Sequence, residues 1–445
     1  MVDLRRIGVT ERAPGSGPEW TLTAGGDFCI IDRLRNTEGP EDGVRQAITE
    51  ELHELVAGAD VAIANMEGPI RTCSAPISKS GPAIQMDTAA PFVLKRMGFD
   101  VVSLANNHIM DYGVQGLVST IEACRREGLL ISGAGNDEHE AMKPAEVVIA
   151  GRIRVSILAF CEREFGVAEG SQPGSAWISH PRAFERVAKA AETADVVVVL
   201  AHGGVEDVPF SPVQRRAQLR QFIDAGATLV IGHHPHVPQG WERYQKGMIF
   251  YSLGDFLFDY PGGACYPKTG WGLVIQAHFC GAVLSEIELV PVGTLADRRV
   301  GRLRENRNSE QHLRYLHRLS ALLAEADAVI PYWQETAVRL WTTRYQPWLL
   351  HACGAEASVS ADSVRFHLSG LYRGVRRRIG WWYQRNQFAQ VPEIKDGLLL
   401  LNMTRNESHH WTIETALGVL HGDVLDRRTP EIRSEVSELL TWTQG

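Results

Sequence analysis

Apolar residues along this chain alternate between two patterns. Short unbroken apolar runs predict buried strands at Trp20–Ala24, Val61–Ala64, Val101–Ala105, Arg154–Phe160, Asp195–Leu200, Ala227–Ile231 and Met248–Tyr251. Between them, apolar residues recur with the spacing of helices that bury one face, at Val44–Ala57, Ala89–Met97, Gly113–Glu127 and Arg182–Thr193. Gly58, Gly98 and Gly128 mark three of the helix ends. A further helix is predicted with Ser211 as its cap, Pro212 at its first position and Gly226 as its stop. Strands alternating with helices specify an α/β domain. Trp271–His278 and Ala282–Val290 then read as an antiparallel pair, so the sheet is mixed or a second sheet packs on the first. The alternation fades near residue 300, which places a boundary at 295–305. The expected division is a flexible lead over 1–19, an α/β domain over 20–298 and a mainly helical region of unassigned role over 299–445.

Composition narrows the class of protein. A chain of 445 residues can hold one sizeable domain and a second unit, and 44% hydrophobic with 22% charged residues is ordinary for a globular protein. The net charge of −8 argues against a broad nucleic-acid surface. Seven scattered cysteines, never spaced as a zinc knuckle, fit a reduced, cytoplasmic chain. Met1–Trp20 has no apolar core of the signal-peptide kind, and no apolar run reaches the length of a membrane span. Residues 372–385 combine five arginines with four aromatics. They read as a helix with an arginine face packed on the main domain; peripheral membrane contact or a polyanion clamp is the alternative.

The chemistry gathers where the strands end. Five predicted strands run into polar residues: Asp27; Asn65 and Glu67; Asn107 and His108; His202; and the turn Gly232-His-His-Pro-His236. In open α/β sheets ligands bind at the carboxyl ends of strands. Any one of these residues could be a turn or capping residue. Together they offer carboxylates, an amide oxygen and imidazoles, which suit a hydrolytic Mn, Fe or Zn site rather than a thiolate-rich structural one.

The ordered set Gly26-Asp27, Asn65-x-Glu67, Asn106-Asn-His-x-x-Asp-x-Gly113, His202-x-Gly204, Gly232-His-His-Pro-His236 and Tyr251-Ser-Leu-Gly-Asp-Phe256 resembles the CapA-type capsule (poly-γ-glutamate) synthesis family. That family lies in the calcineurin-like metallophosphatase superfamily, and the resemblance covers about residues 20–290. It implies a sandwich of two packed mixed β-sheets flanked by helices, and a site for two divalent metals. Asp27 and His236 would hold the first metal. Asn107, His202 and His234 would hold the second, with Glu67 bridging. His108 would stand by the leaving group, oriented by Asp111. Asn65 and Asp255 would support the ligands from behind. His233 reads as a structural or substrate-side residue. Lys79 and Arg71 read as solvated charges, with contact to an anionic substrate as the alternative. The implied activity is phosphoester hydrolysis by a metal-bound hydroxide. Two alternatives share the resemblance: hydrolysis of a γ-glutamyl amide or peptide, and a non-catalytic accessory protein that binds an anionic polymer.

Two positions depart from the family pattern. Cys29 stands where the superfamily's first motif has a histidine, which leaves the first metal short of one donor. A buried bystander thiol is the favoured reading of Cys29. Asp255 stands where the family has asparagine, and adds negative charge that strengthens metal binding or discourages an anionic substrate.

Overall fold

Two β-sheets lie face to face, and the polar strand ends meet along one edge of the pair. The structure is a computed structural model that describes residues 3–9, 17–31, 33, 40–260, 270–303, 307–325, 327–352 and 394–444. Its strands are β1 (Arg6–Gly8), β2 (Glu19–Cys29), β3 (Val61–Met66), β4 (Val101–Ser103), β5 (Leu130–Ser132), β6 (Ala134–Gly135), β7 (Ala145–Ile149), β8 (Ile153–Cys161) and β9 (Gly174–Ser175). They continue as β10 (Val196–His202), β11 (Leu229–His233), β12 (Trp241–Tyr244), β13 (Gly247–Phe250), β14 (Asp255–Phe258), β15 (Trp271–Cys280), β16 (Val283–Thr294) and β17 (Val300–Arg302). The first sheet runs β1-β16-β15-β2-β3-β4-β5, with β14 also paired to β2 and β17 to β16. The second runs β12-β13-β11-β10-β8-β7. The first is parallel from β2 to β5 and antiparallel from β2 to β1, and the second has a parallel centre with antiparallel edges, so both sheets are mixed.

The alternation of side chains across each strand shows how the layers stack. In β3, Val61 and Ile63 face a core shared with Ile157, Val198 and Val230 of the second sheet. The intervening Ala62, Ala64 and Met66 face a separate core with Leu52, Val93 and Leu117 from the helices that cover the first sheet's outer face. Helices Pro181–Ala191 and Val213–Asp224 cover the second sheet. The fold is thus the expected calcineurin-like sandwich. The C-terminal helices Arg307–Ala324, Val329–Leu340, Glu407–His421 and Pro430–Gln444 send Leu316, Trp333, Ala416 and Leu439 into the same cluster that joins the two sheets.

Several local expectations are corrected. Val44–Ala57 is two helices, Pro40–Ala47 and Glu50–Ala57. Thr49 breaks them because it is extended (φ −73°, ψ 155°) and caps the second helix, accepting from Leu52 N, while its own N–H donates to Val300 O at 2.9 Å. Apolar periodicity continues across such a cap, so the break is invisible to it. Ser211 is not a cap: the helix begins at Val213, and Pro212 itself takes the capping position (φ −51°, ψ 142°) with no side-chain bond. Within the segment read as a flexible lead, Arg6–Gly8 pairs antiparallel with β16. The sheet also extends past residue 298 through β17. Residues 372–385 lie outside the described residues. No helix among the described residues is long and apolar enough to cross a membrane.

Candidate metal centre

The carboxyl ends of β2, β3, β4, β10 and β11 supply the expected residues, because parallel strands in a sheet end on one edge. Asp27 lies near the end of β2, and Asn65 lies in β3 with Glu67 just beyond it. Asn107, His108 and Asp111 follow β4, His202 is the last residue of β10, and His233 ends β11 with His234 and His236 beyond it. Asp255 opens β14 and is the cross-strand partner of Asp27.

The backbone is shaped to bring these strands close. A Cβ on Gly26 would lie 1.8 Å from Gly254 O, so only glycine allows this approach. The next residue then donates its N–H to that same carbonyl, Asp27 N to Gly254 O at 2.9 Å. His234 (φ 93°) and His236 (φ 57°) both adopt the left-handed region that side chains disfavour. Strain of this kind persists where the surroundings over-determine it. Here the His234 N–H donates to Asp27 Oδ2 at 3.0 Å, which ties the turn to β2.

Two groups of donor atoms result. In one, Glu67, His202 and His234 each offer an atom within 4.8 Å of the others; in the other, Asp27, His236 and Asp255 do the same. Glu67 lies between them, with Oε1 3.9 Å from His202 Nε2 and 3.7 Å from His236 Nε2. Asn107 Oδ1 is 2.9 Å from His202 Nε2. Asn65 donates from Nδ2 to Asp27 Oδ1 (2.8 Å) and contacts His202 Nδ1 (3.2 Å), so it holds a member of each group. His233 belongs to neither group: its Nε2 is 3.3 Å from Gly25 O. Cys29 belongs to neither group and is fully buried among apolar side chains.

Both Glu67 oxygens and His234 Nδ1 are buried and lack a hydrogen-bond partner among the described residues. Buried polar atoms are rarely left so without reason. Burial, and then the Asp27 carboxylate, push the Glu67 carboxyl well above the usual range. Burial raises Asp255 to about 6. Burial, then His234 and His233, hold the His202 imidazole well below its ordinary value, and burial lowers His234 to about 3. The neutral His202 and His234 imidazoles and the crowded carboxylates, of which, against burial, Glu67 and then Asp255 raise His236 well above its ordinary value, fit divalent cations, which would satisfy the orphaned atoms.

Beside this centre lies a second cluster. Asp111 Oδ2 is 2.6 Å from His108 Nδ1, and Lys79 Nζ donates to Asp111 Oδ1 at 2.5 Å. Lys79 Nζ also lies 3.3 Å from His108 Nδ1. One ring nitrogen cannot serve both neighbours, and the shorter contact assigns the Nδ1 proton to Asp111. His108 Nε2 then faces Glu67 Oε1 at 3.9 Å. Burial, then Lys79, lowers the His108 pKa. The solvated-charge expectation for Lys79 is corrected: its side chain is 3% exposed, because the 76–81 loop folds over Asp111. Arg71 is exposed.

The sequence reading missed one wall of the site. β8 runs into Glu162-Arg-Glu164, the same strand-end signal that marked the other motifs. Glu164 Oε2 accepts from Asn107 Nδ2 (3.3 Å), and its Oε1 accepts from Asn406 Nδ2 (3.4 Å). Burial raises Glu164 to about 7. Asn406 caps the helix Glu407–His421 and also donates to Glu162 Oε2 at 3.1 Å. The C-terminal region therefore reaches within one carboxylate of Asn107.

A family model described as "Bacterial capsule synthesis protein PGA_cap" matches residues 21–260. The capsule biosynthesis protein CapA of Bacillus anthracis is 35% identical over 206 residues, covering 45% of this chain and 49% of that protein. The PGA biosynthesis protein CapA of Bacillus subtilis (strain 168) is 31% identical over 251 residues, covering 55% of this chain and 64% of that protein. A probable polyglutamine synthesis accessory protein of Mycobacterium tuberculosis is 33% identical over 175 residues, covering 36% of this chain and 46% of that protein. The chain thus spans between about half and two thirds of the length of these relatives. Among solved structures, a 5'-nucleotidase from Candida albicans SC5314 matches with a TM-score of 0.37 at 12% identity, covering 71% of this chain and 58% of that one.

Proposed function

Since this chain belongs to the bacterial capsule synthesis protein family PGA_cap, within the calcineurin-like metallophosphoesterase superfamily, we propose that it is a metal-dependent hydrolase that cleaves a phosphoester of an anionic substrate. The observation that carries this is Glu67, whose two buried oxygens lack partners between two groups of metal-ligand side chains. Asp27 and His236 would hold one metal, Asn107, His202 and His234 the other, and Glu67 would reach both. Mn, Fe and Zn all suit these donors. When bound, such a pair supplies positive charge that polarises a phosphoryl oxygen and lowers the pKa of water.

The chain's own residues do the rest. Asn65 fixes Asp27 and His202 relative to each other through the two contacts of its amide. Asp111 commits the His108 Nδ1 proton, so His108 can protonate a leaving oxygen only from Nε2 of its imidazolium form, returning to the neutral Nδ1–H ring. Lys79 keeps Asp111 ionised in a dry setting. The cytoplasmic setting belongs to the same proposal and rests on the seven scattered cysteines.

Two further readings are a γ-glutamyl amide hydrolase and an accessory protein that binds an anionic polymer; the accessory role is the one named for the Mycobacterium tuberculosis relative. The decisive experiment is metal analysis of the purified protein, followed by parallel assay of aryl phosphoesters and γ-glutamyl oligomers. Phosphoester turnover that His108→Ala abolishes, with metal content unchanged, supports the proposal. Cleavage of the γ-glutamyl oligomers alone moves the bond to an amide. Full metal content with polymer binding and no turnover of either substrate leaves the accessory reading.

A further inference from the structure

We infer that Asp255 is a direct ligand of the first metal and fills the place that Cys29 leaves open. The inference rests on the two-metal reading above and names a donor which that reading lacks. β14 lies parallel to β2 with Asp255 in register with Asp27, which sets two carboxylates side by side. Both are buried, at 8% and 0% exposure. Like charges directly across a sheet repel, and burial removes the water that would screen them. His236 lies between them, Nδ1 2.8 Å from Asp255 Oδ1 and 3.7 Å from Asp27 Oδ2. Tyr260 donates its hydroxyl to Asp255 Oδ2 at 3.1 Å, which turns Oδ1 toward the group. Glu67, with both oxygens unpartnered, closes the group from the far side at 3.7 Å from His236 Nε2. Two carboxylates and one imidazole therefore converge, with the Glu67 carboxylate against the other nitrogen of the His236 ring.

Cys29 is two residues beyond Asp27, pairs with Phe258 rather than with Asp255, and packs in the apolar core. It is outside the converging donors. Asp255 restores the fourth donor and makes the first position richer in oxygen than the second, where Glu67 and Asn107 join two imidazoles. An oxygen-rich set suits Mn better than it suits Zn.

The rival role for Asp255 is to accept the Nδ1 proton of His236 and hold that ring from behind, as many metal-bound histidines are held. Asp255→Asn separates the two roles, because the amide oxygen still accepts that proton but, being neutral, binds a cation more weakly than the carboxylate it replaces. The experiment is calorimetric titration of the metal-free full chain with Mn at neutral pH, with metal content checked after gel filtration. Wild type should bind two equivalents. Asp255→Asn should lose one of them or bind it at least tenfold more weakly, while Cys29→Ala keeps both. Two equivalents within twofold of wild type in Asp255→Asn overturn the inference and leave the two-metal reading standing. Loss of one equivalent in Cys29→Ala overturns it too, by making the thiol the ligand. A wild type that binds no metal overturns both proposals. Should Asp255→Asn not fold, a crystal structure of the Mn-loaded wild type decides: an Asp255 oxygen about 2.2 Å from the ion supports the inference, and one beyond hydrogen-bond distance overturns it.

Discussion

Replacing Lys79 with methionine tests whether the Lys79–Asp111–His108 cluster is a buried unit. A charge on a solvated loop could be replaced at a cost within about 0.5 kcal/mol. In the structure the Lys79 and Asp111 side chains are 3% and 0% exposed and 2.5 Å apart. Breaking one partner of such a buried pair costs about 3–5 kcal/mol, because the other charge stays behind without water. Asp111 keeps two donors in Lys79→Met, Ile84 N at 2.7 Å and His108 Nδ1 at 2.6 Å, so the loss falls at the lower end, about 3 kcal/mol. Asp111→Asn costs more, since it strands an ammonium whose remaining neighbour is His108 Nδ1 at 3.3 Å. The double variant removes both charges and recovers part of the loss, as expected when a buried pair is deleted whole. Urea unfolding of the metal-free protein, followed by tryptophan fluorescence, measures all four members of the cycle. A loss below about 1 kcal/mol in Lys79→Met, or strict additivity in the double variant, would refute the argument.

Three further outcomes follow from other parts of the molecule. Arg215→Met leaves Glu162 buried with only neutral donors from Asn406 and Ser408; it should lose about 3–5 kcal/mol and expose the C-terminal helices to trypsin, and resistance equal to wild type contradicts the docking role. Saturating Mn at 100 times its dissociation constant should stabilise the protein by about 2.7 kcal/mol for each ion bound, read as a rise in melting temperature that EDTA reverses and that Glu67→Ala abolishes. Glu138 is held below the usual carboxylate range, first by the Gly170 N–H at 3.1 Å and then by His180 and Arg182. A depressed carboxylate stabilises the fold above its unfolded pKa and stops doing so as pH falls through its folded value. Glu138→Gln should therefore be less stable than wild type at pH 7 and equal to it in acid; a difference that persists in acid assigns the effect to packing instead.

Most of the sandwich was legible because each of its signals is local. The apolar runs of β2, β3, β10 and β11 and the polar residues at their ends sit next to one another in the chain, and parallel strands must place those ends on one edge. The same signal at the end of β8, Glu162 and Glu164, was present and passed over. The break at Thr49 was hidden because a cap changes the backbone without interrupting the apolar period. The short strands β5, β12 and β14 were not predicted.

The sequence by itself determined the class of fold, the ligand types and which side chains stand at the strand ends. Only the tertiary structure decided what those side chains meet. Lys79 is polar and sits in a loop, so nothing in its neighbourhood along the chain announces burial; the fold closes that loop over Asp111, 32 residues away. Asp255 became a partner of Asp27 through a strand pairing that spans 228 positions, which periodicity cannot encode. Asn406 came to the site from the C-terminal helices, 242 residues beyond Glu164. Local pattern tells a side chain which face it occupies; electrostatic balance depends on every charge within a few ångströms, and that set exists only once distant segments have packed.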